Sequence, residues 1–346
     1  MTLFRRSIFS VMAASLVVTA CGSTATPPAA DNSPASLTIM VGGLSKQIYL
    51  PNKLTEILGY YKEQNLDVKL VDEGSGQETS DEVVAGNVDG GSGSYSHVLE
   101  LQSKGKFLVQ VVQFQIAPGE AEVVAAGKAD KFKSFADFKG LQPKAKLGVT
   151  SIGSGTHTIS RALLGRSSVP ESDVSFIKAG AGSTFIAAMK NGQIDAGMTT
   201  EPTISIALKQ GVGKVMVDLR TPATTRAALG ADYPFIGIFM TQDYVNKHKS
   251  VVQRLVKAYV KTLKWMKSHT AGEITEKMPA DYVQPDKDTY VAALDAQKDS
   301  FIADGKMPAA GAQNALDIEL KYVNEMKGAS VDISKTYTNE FASKAQ

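Results

Sequence analysis

Residues 148–160 read GVTSIGSGTHTIS, an apolar run, a turn rich in glycine and serine, and the opening of a helix. Such a turn can cradle a phosphate, carry a nucleophile or receive a small polar solute. A phosphate loop needs Lys followed by Ser or Thr after its glycines, whereas Gly155 is followed by Thr156 and His157. The glycine spacing does not match a dinucleotide fingerprint, and no serine has the flanking glycines of a nucleophile elbow. What remains is a helix N-terminus whose N–H groups and hydroxyls can donate to an anion or a carbonyl oxygen, with Ser151, Ser154, Gly155 and Thr156 as donors. The alternative is that Ser154 or Thr156 only caps its own helix.

Three further loops have the same character. GGLSKQIYL (42–50) offers Ser45, Gln47 and Tyr49; SGSYSHV (92–98) offers Ser94, Tyr95 and Ser96; TTEP (199–202) offers Thr200 and Glu201. Each alone is an ordinary turn. Together they imply one gap lined from two sides, with Tyr95 and Thr156 facing each other across it. The four histidines, His97, His157, His248 and His269, lack the short pair spacing of a zinc site, so no metal and no cofactor is expected. His157, three residues after Ser154, could serve an enzyme as a base, but no acid partner is in view.

The elements that position these loops alternate. Strands are expected at 37–41, 67–71, 88–91, 108–114, 122–127, 146–150, 173–179, 194–199, 214–219 and 235–241. Helices are expected at 51–64, 79–87, 96–104, 156–164, 183–191, 202–210 and 247–268, the last with Val251, Leu255, Tyr259 and Leu263 on one face. This is an α/β grammar stated twice, so the second unit reads as an insertion into the first. The lobes are 37–120 with 236–346, and 121–235, each a mostly parallel sheet flanked by helices and joined by two crossing strands. A ligand then lies in the crevice at the carboxyl ends of the strands. Residues from Ala271 onward read as helices packed on the first lobe.

With 43% hydrophobic and 21% charged residues, 346 residues suffice for about two domains. The N-terminus has Arg5 and Arg6, an apolar stretch from Ile8 to Val18 and Val18-Thr19-Ala20-Cys21, the pattern of a signal peptide (1–20) ending in a lipobox that lipidates Cys21. Without Arg5 and Arg6 the basic residues equal the 35 acidic ones, so net charge gives no reason for a nucleic-acid partner. Residues 21–36, rich in Pro, Ala and Ser, read as a flexible tether to a membrane surface. The chain is taken as a monomer.

Four stretches, in order and at family spacing, carry a resemblance: GYYKEQNLDVKLV, VVAGNVDGGSGSYSHVLEL, FKSFADFKGLQPKAKLGVTSIGSGTH and AAMKNGQIDAGMTTEP. From Leu37 to Ser268 the sequence resembles the periplasmic-binding-protein superfamily of ABC importers, within it the nitrate, taurine and alkanesulfonate binding group (NMT1/THI5-like). The resemblance implies a type II two-lobed fold closing over a small solute, and delivery to an inner-membrane permease with its ATPase. Carried over position by position, it puts ligand contacts on Gln47, Tyr49, Ser94, Tyr95, Ser154, Gly155, Thr156 and Glu201. It implies an extracytoplasmic protein held to a membrane by lipid. The expected ligand is a small organic anion or a sulfonate- or nitrate-like solute; a planar aromatic or pyrimidine-type compound suits the same hydroxyls and tyrosines. An enzyme on this fold and an adhesive surface lipoprotein are the competing classes.

Overall fold

The computed structural model describes Thr2 and residues 32–346. The signal peptide, Cys21 and the tether up to residue 31 lie outside the described residues.

Ten strands form two five-stranded sheets. The first is built from β1 (Ala35–Val41), β2 (Leu66–Asp72), β3 (Gly90–Ser94), β4 (Leu108–Gln113) and β10 (Ile236–Thr241), in the order β2-β1-β3-β10-β4. The second is built from β5 (Glu120–Ala125), β6 (Ala145–Val149), β7 (Val174–Lys178), β8 (Ala196–Thr200) and β9 (Gly213–Leu219), in the order β7-β6-β8-β5-β9. Each sheet is mixed: β10 runs antiparallel to β3 and β4, and β5 antiparallel to β8 and β9. The first sheet thus takes its last strand from beyond the second. The two crossing segments run side by side, with Phe235 N–H donating to Gln115 O (3.1 Å) and Tyr233 N–H to Ile116 O (3.0 Å).

All ten expected strands form, with shifted ends. β1 starts at Ala35, inside the stretch read as tether. The largest shift is β3, expected at 88–91 and observed at Gly90–Ser94, where Ser92-Gly93-Ser94 lack β-forming side chains and read as part of the following loop. All five of its residues are buried. A Cβ on Gly91 would stand 2.5 Å from the Phe239 ring of the neighbouring strand, so packing against Phe239 requires the bare backbone. The helix expected at 51–64 divides into Leu50–Ile57 and Tyr60–Glu63 because Gly59 is left-handed (φ 74°). The helix expected at 247–268 divides at His248 into Gln242–Lys247 and Lys249–Ser268.

The C-terminal region does more than cover the first sheet. The helix Lys287–Gln297 packs on Thr203–Lys209 of the second lobe, and Ala309–Tyr322 touches both Tyr95–Ser103 of the first and Gly155–Arg166 of the second. Lys209 Nζ donates to Asp286 Oδ2 and Thr289 Oγ1, both at 2.8 Å. The buried Arg161 bonds Glu171 (2.9 Å) and Glu325 (2.7 Å). The segment from 286 onward is therefore a strap across both lobes.

Among the described residues no helix is long and apolar enough to cross a membrane, and no three His, Cys, Asp or Glu side chains gather as metal ligands.

Candidate functional site

The loop after β1 turns at Gly43, whose φ of 127° is open to glycine, and then folds Lys46 inward. Lys46 is only 8% exposed, and its Nζ donates to the carbonyls of Gly42 (2.7 Å) and Gly74 (3.0 Å). Loss of hydration lowers its pKa to about 8, against the opposing fields of Glu120, Asp72 and Glu78. Tyr49, on the same loop, stands with its hydroxyl beside Gly42 and Gly76.

β3 ends at Ser94, which caps the helix Tyr95–Ser103 by accepting from Ser96 N–H and lies 2.9 Å from Ser96 Oγ. One turn on, His97 is buried, and neither of its ring nitrogens has a hydrogen-bond partner. Desolvation, with a contribution from Lys104, pushes its pKa down to about 4, so it is neutral at physiological pH.

Across the gap, β6 leads to the loop singled out in the sequence. Ser154 Oγ donates to Ser151 O (2.7 Å) and lies 2.7 Å from Thr156 Oγ1, which accepts from Thr150 N–H (2.9 Å). These hydroxyls hold the loop in shape. Ser154 makes no side-chain cap on the helix Gly155–Arg166, so the simple capping alternative does not hold. Gly155 is tightly packed: a Cβ there would stand 2.6 Å from Phe235 Cζ and 3.2 Å from Cβ of Ser94 in the first sheet.

The floor comes from two adjacent strands. Glu120 of β5 pairs with Thr200 of β8, which puts their side chains next to each other. Both are buried, and Glu120 Oε2 and Thr200 Oγ1 have no partner. Burial holds the Glu120 carboxyl well above the ordinary range; Lys46 opposes the shift and Glu122 adds to it. Lys46 and Glu120 sense each other's charge, yet among the described residues no ion pair joins them.

Lys46, Tyr49, Ser94, His97, Glu120, Ser154, Gly155, Thr156 and Thr200 enclose one cavity of about 20 Å³, room for about one water. A mouth of about 260 Å³ shares Lys46, Ser75 and Thr150 with it and is rimmed by Asp72, Glu78 and Lys178. A larger chamber of about 570 Å³ lies between Ile186 and Ile206 of the second lobe and Tyr282, just before the strap. We place the site in the small cavity, because unpaired buried polar atoms gather there and none lines the chamber. Such atoms cost about 1–3 kcal/mol each unless a partner arrives.

Three of the eight expected contacts face elsewhere. Gln47 Nε2 donates to Tyr290 O and its Oε1 accepts from Gln297, each at 2.9 Å, so its amide braces the strap. The Tyr95 hydroxyl lies 2.5 Å from Thr336 Oγ1 and its ring meets Tyr337 edge-on, so it points away from Thr156. The reason is local: Ser94 ends a strand and Tyr95 starts a helix, which turns consecutive side chains to different sides. Ser94 is the residue that meets the Gly155 loop. Glu201 is fully buried and spent on Arg220 Nη1 (2.8 Å), Ser205 Oγ (3.0 Å) and Ser205 N–H (3.0 Å). Tyr49, Ser94, Ser154, Gly155 and Thr156 do line the cavity.

Lys46, His97 and Glu120 were missed. Lys46 is the only cation of its loop. Glu120 and Glu122 alternate with Ala121 and Val123, a pattern that ordinarily marks a solvated strand face; here that face is buried under the helix Gly155–Arg166.

Residues 53–272 match the NMT1/THI5-like family. The chain belongs to that family. A protein of solved structure from Bordetella bronchiseptica RB50 is 33% identical, covering 90% of this chain and 96% of that one with a TM-score of 0.84. The periplasmic nitrate-binding protein NrtA from Synechocystis PCC 6803 is 14% identical, covers 91% of this chain and 89% of that one, and has a TM-score of 0.73. The alkanesulfonate-binding protein SsuA from Xanthomonas axonopodis pv. citri, bound to MOPS, is 17% identical over 88% of this chain and 99% of that one, at 0.70. The last two likenesses establish that this NMT1/THI5-like chain has the periplasmic-binding-protein fold.

Proposed function

We propose that this protein is the solute-binding receptor of an ABC importer, capturing a small organic anion between its lobes. One observation carries the reading: a buried ammonium and several unpartnered polar atoms line a cavity to which both lobes contribute. A solute bridging that cavity gains contacts available only when the lobes are together, which shifts the population toward the closed form. Tyr49, Ser94, Ser154, Gly155 and Thr156, together with Lys46, His97, Glu120 and Thr200, are the contacts we assign. Residues 37–120 with 236–346 and residues 121–235 act as the two moving bodies, and the strap limits their travel.

The receptor works outside the cytoplasm as a monomer, anchored by lipid on Cys21, and hands its solute to a permease with its ATPase. Incorporation of labelled palmitate, lost in Cys21→Ser, tests the anchor. A planar heterocycle is the second reading, favoured by the Tyr49 and Phe235 rings at the cavity.

A thermal-shift panel of nitrate, alkanesulfonates, carboxylates and aminopyrimidines tests the binding role. A true ligand at a hundred times its Kd adds about 2.7 kcal/mol of stability. Mass spectrometry should recover that ligand unchanged, whereas a new product would turn the assignment to an enzyme. No stabilisation by any member would favour the adhesive lipoprotein.

A further inference from the structure

From Tyr244 to Gly272 the sequence holds seven Lys and Arg and no Asp or Glu, although the chain beyond Arg6 has equal numbers of both signs. The helix Lys249–Ser268 sorts these cations by face. Leu255, Tyr259 and Leu263 are buried in the first lobe, and every fully exposed position of the helix except Ser268 is a lysine: Lys249, Lys257, Lys261, Lys264 and Lys267. At about 100° per residue these five fall within about a third of the helix circumference. Lys261 reaches Glu63 and Lys267 lies 3.6 Å from Asp299, exposed pairs that water weakens. Lys257 and Lys264 have no acidic partner among the described residues. A solvated helix face ordinarily intersperses both signs, because like charges three or four residues apart repel. An anionic surface would offset that repulsion.

The same helix marks where the N-terminal segment enters the folded body. Arg254 Nη1 donates to the carbonyls of Gln64 (2.9 Å) and Asn65 (3.3 Å), while Asn65 donates from Nδ2 to Asn32 O (3.2 Å) and accepts from Ala35 N–H (3.1 Å). The body therefore begins beside the lysine face. Cys21 lies eleven residues before Asn32, a reach of at most about 40 Å. Two half-buried aromatic residues, of types that favour the headgroup zone of a bilayer, border the face: Trp265, and Tyr60, whose ring centre is 4.2 Å from Lys261 Nζ.

We propose that the lysine face of the helix Lys249–Ser268 docks the folded body on the anionic phosphates of a phospholipid surface, so that the protein lies against the membrane instead of swinging free on its tether. This goes beyond solute capture and rests on the proposed Cys21 anchor for nearness to the membrane alone. Each lysine held near such a surface strengthens association about fivefold, and salt screens the attraction.

Trp265, the sole tryptophan of the chain, lies on this helix and makes the test specific to it. The full chain is reconstituted on vesicles of phosphatidylcholine alone or mixed with phosphatidylglycerol, each carrying a lipid with a nitroxide headgroup that quenches tryptophan at close range. Trp265 emission should be quenched on the anionic vesicles and not on the neutral ones, and salt at about 0.5 M should restore it. Replacing Lys257, Lys261, Lys264 and Lys267 together by Gln should lower the docking constant about 10- to 100-fold. Replacing Lys131, Lys133, Lys139 and Lys144 of the second lobe, exposed and equal in charge, should leave it unchanged. Equal quenching on both kinds of vesicle, or equal loss in the two variants, overturns the proposal in favour of mere tethering or net charge. No quenching on anionic vesicles also overturns it and leaves an acidic protein face as the occupant. If the protein washes off neutral vesicles, the anchor fails, while the anionic vesicles still read the lysine face from solution. Should the Gln variant fail to fold, the lipid and salt comparisons on wild type decide the matter.

Discussion

Lys46 ties the chemistry of the site to pH. Its charge is needed by an anion, and burial lowers its pKa to about 8. Below that value the ammonium is present; as pH rises through it, binding must bring a proton, and affinity falls by up to about tenfold per pH unit. His97, neutral down to about pH 4, adds no change between pH 5.5 and 7.5. Isothermal titration of the best ligand from pH 6 to 9 should show a plateau and then a decline, while Lys46→Met should lower affinity about 10- to 100-fold at pH 7 and remove the decline. A pH-independent affinity would place the ligand away from Lys46. Gly155 governs packing instead of chemistry. A methyl group there would meet the Phe235 ring and, across the gap, Ser94. Gly155→Ala should therefore overpack this junction by about 1–3 kcal/mol, weakening binding and lowering the melting temperature of the free protein, as read by calorimetry and thermal shift.

At the scale of elements, the brace around Glu201 is a structural joint. It lies where β8 ends and the helix Thr203–Lys209 begins. Its carboxylate binds Arg220 and Ser205, and its carbonyl accepts from Gln47 N–H of the first lobe (3.0 Å). Arg220→Ala leaves a fully buried carboxylate without its cation, a change that costs about 3–5 kcal/mol. Urea denaturation should report that loss. An Arg220→Ala protein as stable as wild type, with weakened binding only, would return Glu201 to the list of ligand contacts. The strap is the other joint: through Arg161 to Glu325 and Lys209 to Asp286 it fastens the second lobe from both rims.

The whole molecule buries several carboxylates, and these give its stability a pH dependence. Glu100, which accepts from Thr158 across the lobes (3.3 Å), has its pKa raised to about 7, chiefly by desolvation; Glu319 on the strap is held well above the ordinary carboxylate range by burial and by Glu100. A carboxyl whose folded pKa lies above its unfolded value favours the folded state while protonated. That contribution is complete below about pH 4.5 and is lost as pH rises through 7. His97 and His157, held near pKa 4 by burial, act in the opposite direction between pH 4 and 6.5, so the net profile alone is not diagnostic. The difference between variants is. Glu100→Gln should stabilise the protein relative to wild type at pH 8 and leave it unchanged at pH 5, as read by urea midpoints; equal midpoints at pH 8 would mean that Glu100 is solvated in solution.

The strands, their order along the chain, the two-sheet α/β class and the family were legible in the sequence, because period-two apolar runs and glycine turns are local signals. Five cavity-lining residues, Tyr49, Ser94, Ser154, Gly155 and Thr156, were legible for the same reason, as polar residues just past strand ends. Other assignments belonged to tertiary structure. Which of two consecutive residues turns inward at a strand-to-helix junction separated Ser94 from Tyr95. Which face of β5 is covered made Glu120 a buried carboxyl instead of a solvated charge. Where the C-terminal helices lie claimed Gln47 for the strap. In each case the deciding neighbour is distant in the sequence, Thr336 for Tyr95, the helix Gly155–Arg166 for Glu120 and Gln297 for Gln47, and burial of a polar group is fixed by such neighbours and not by its own flanking residues.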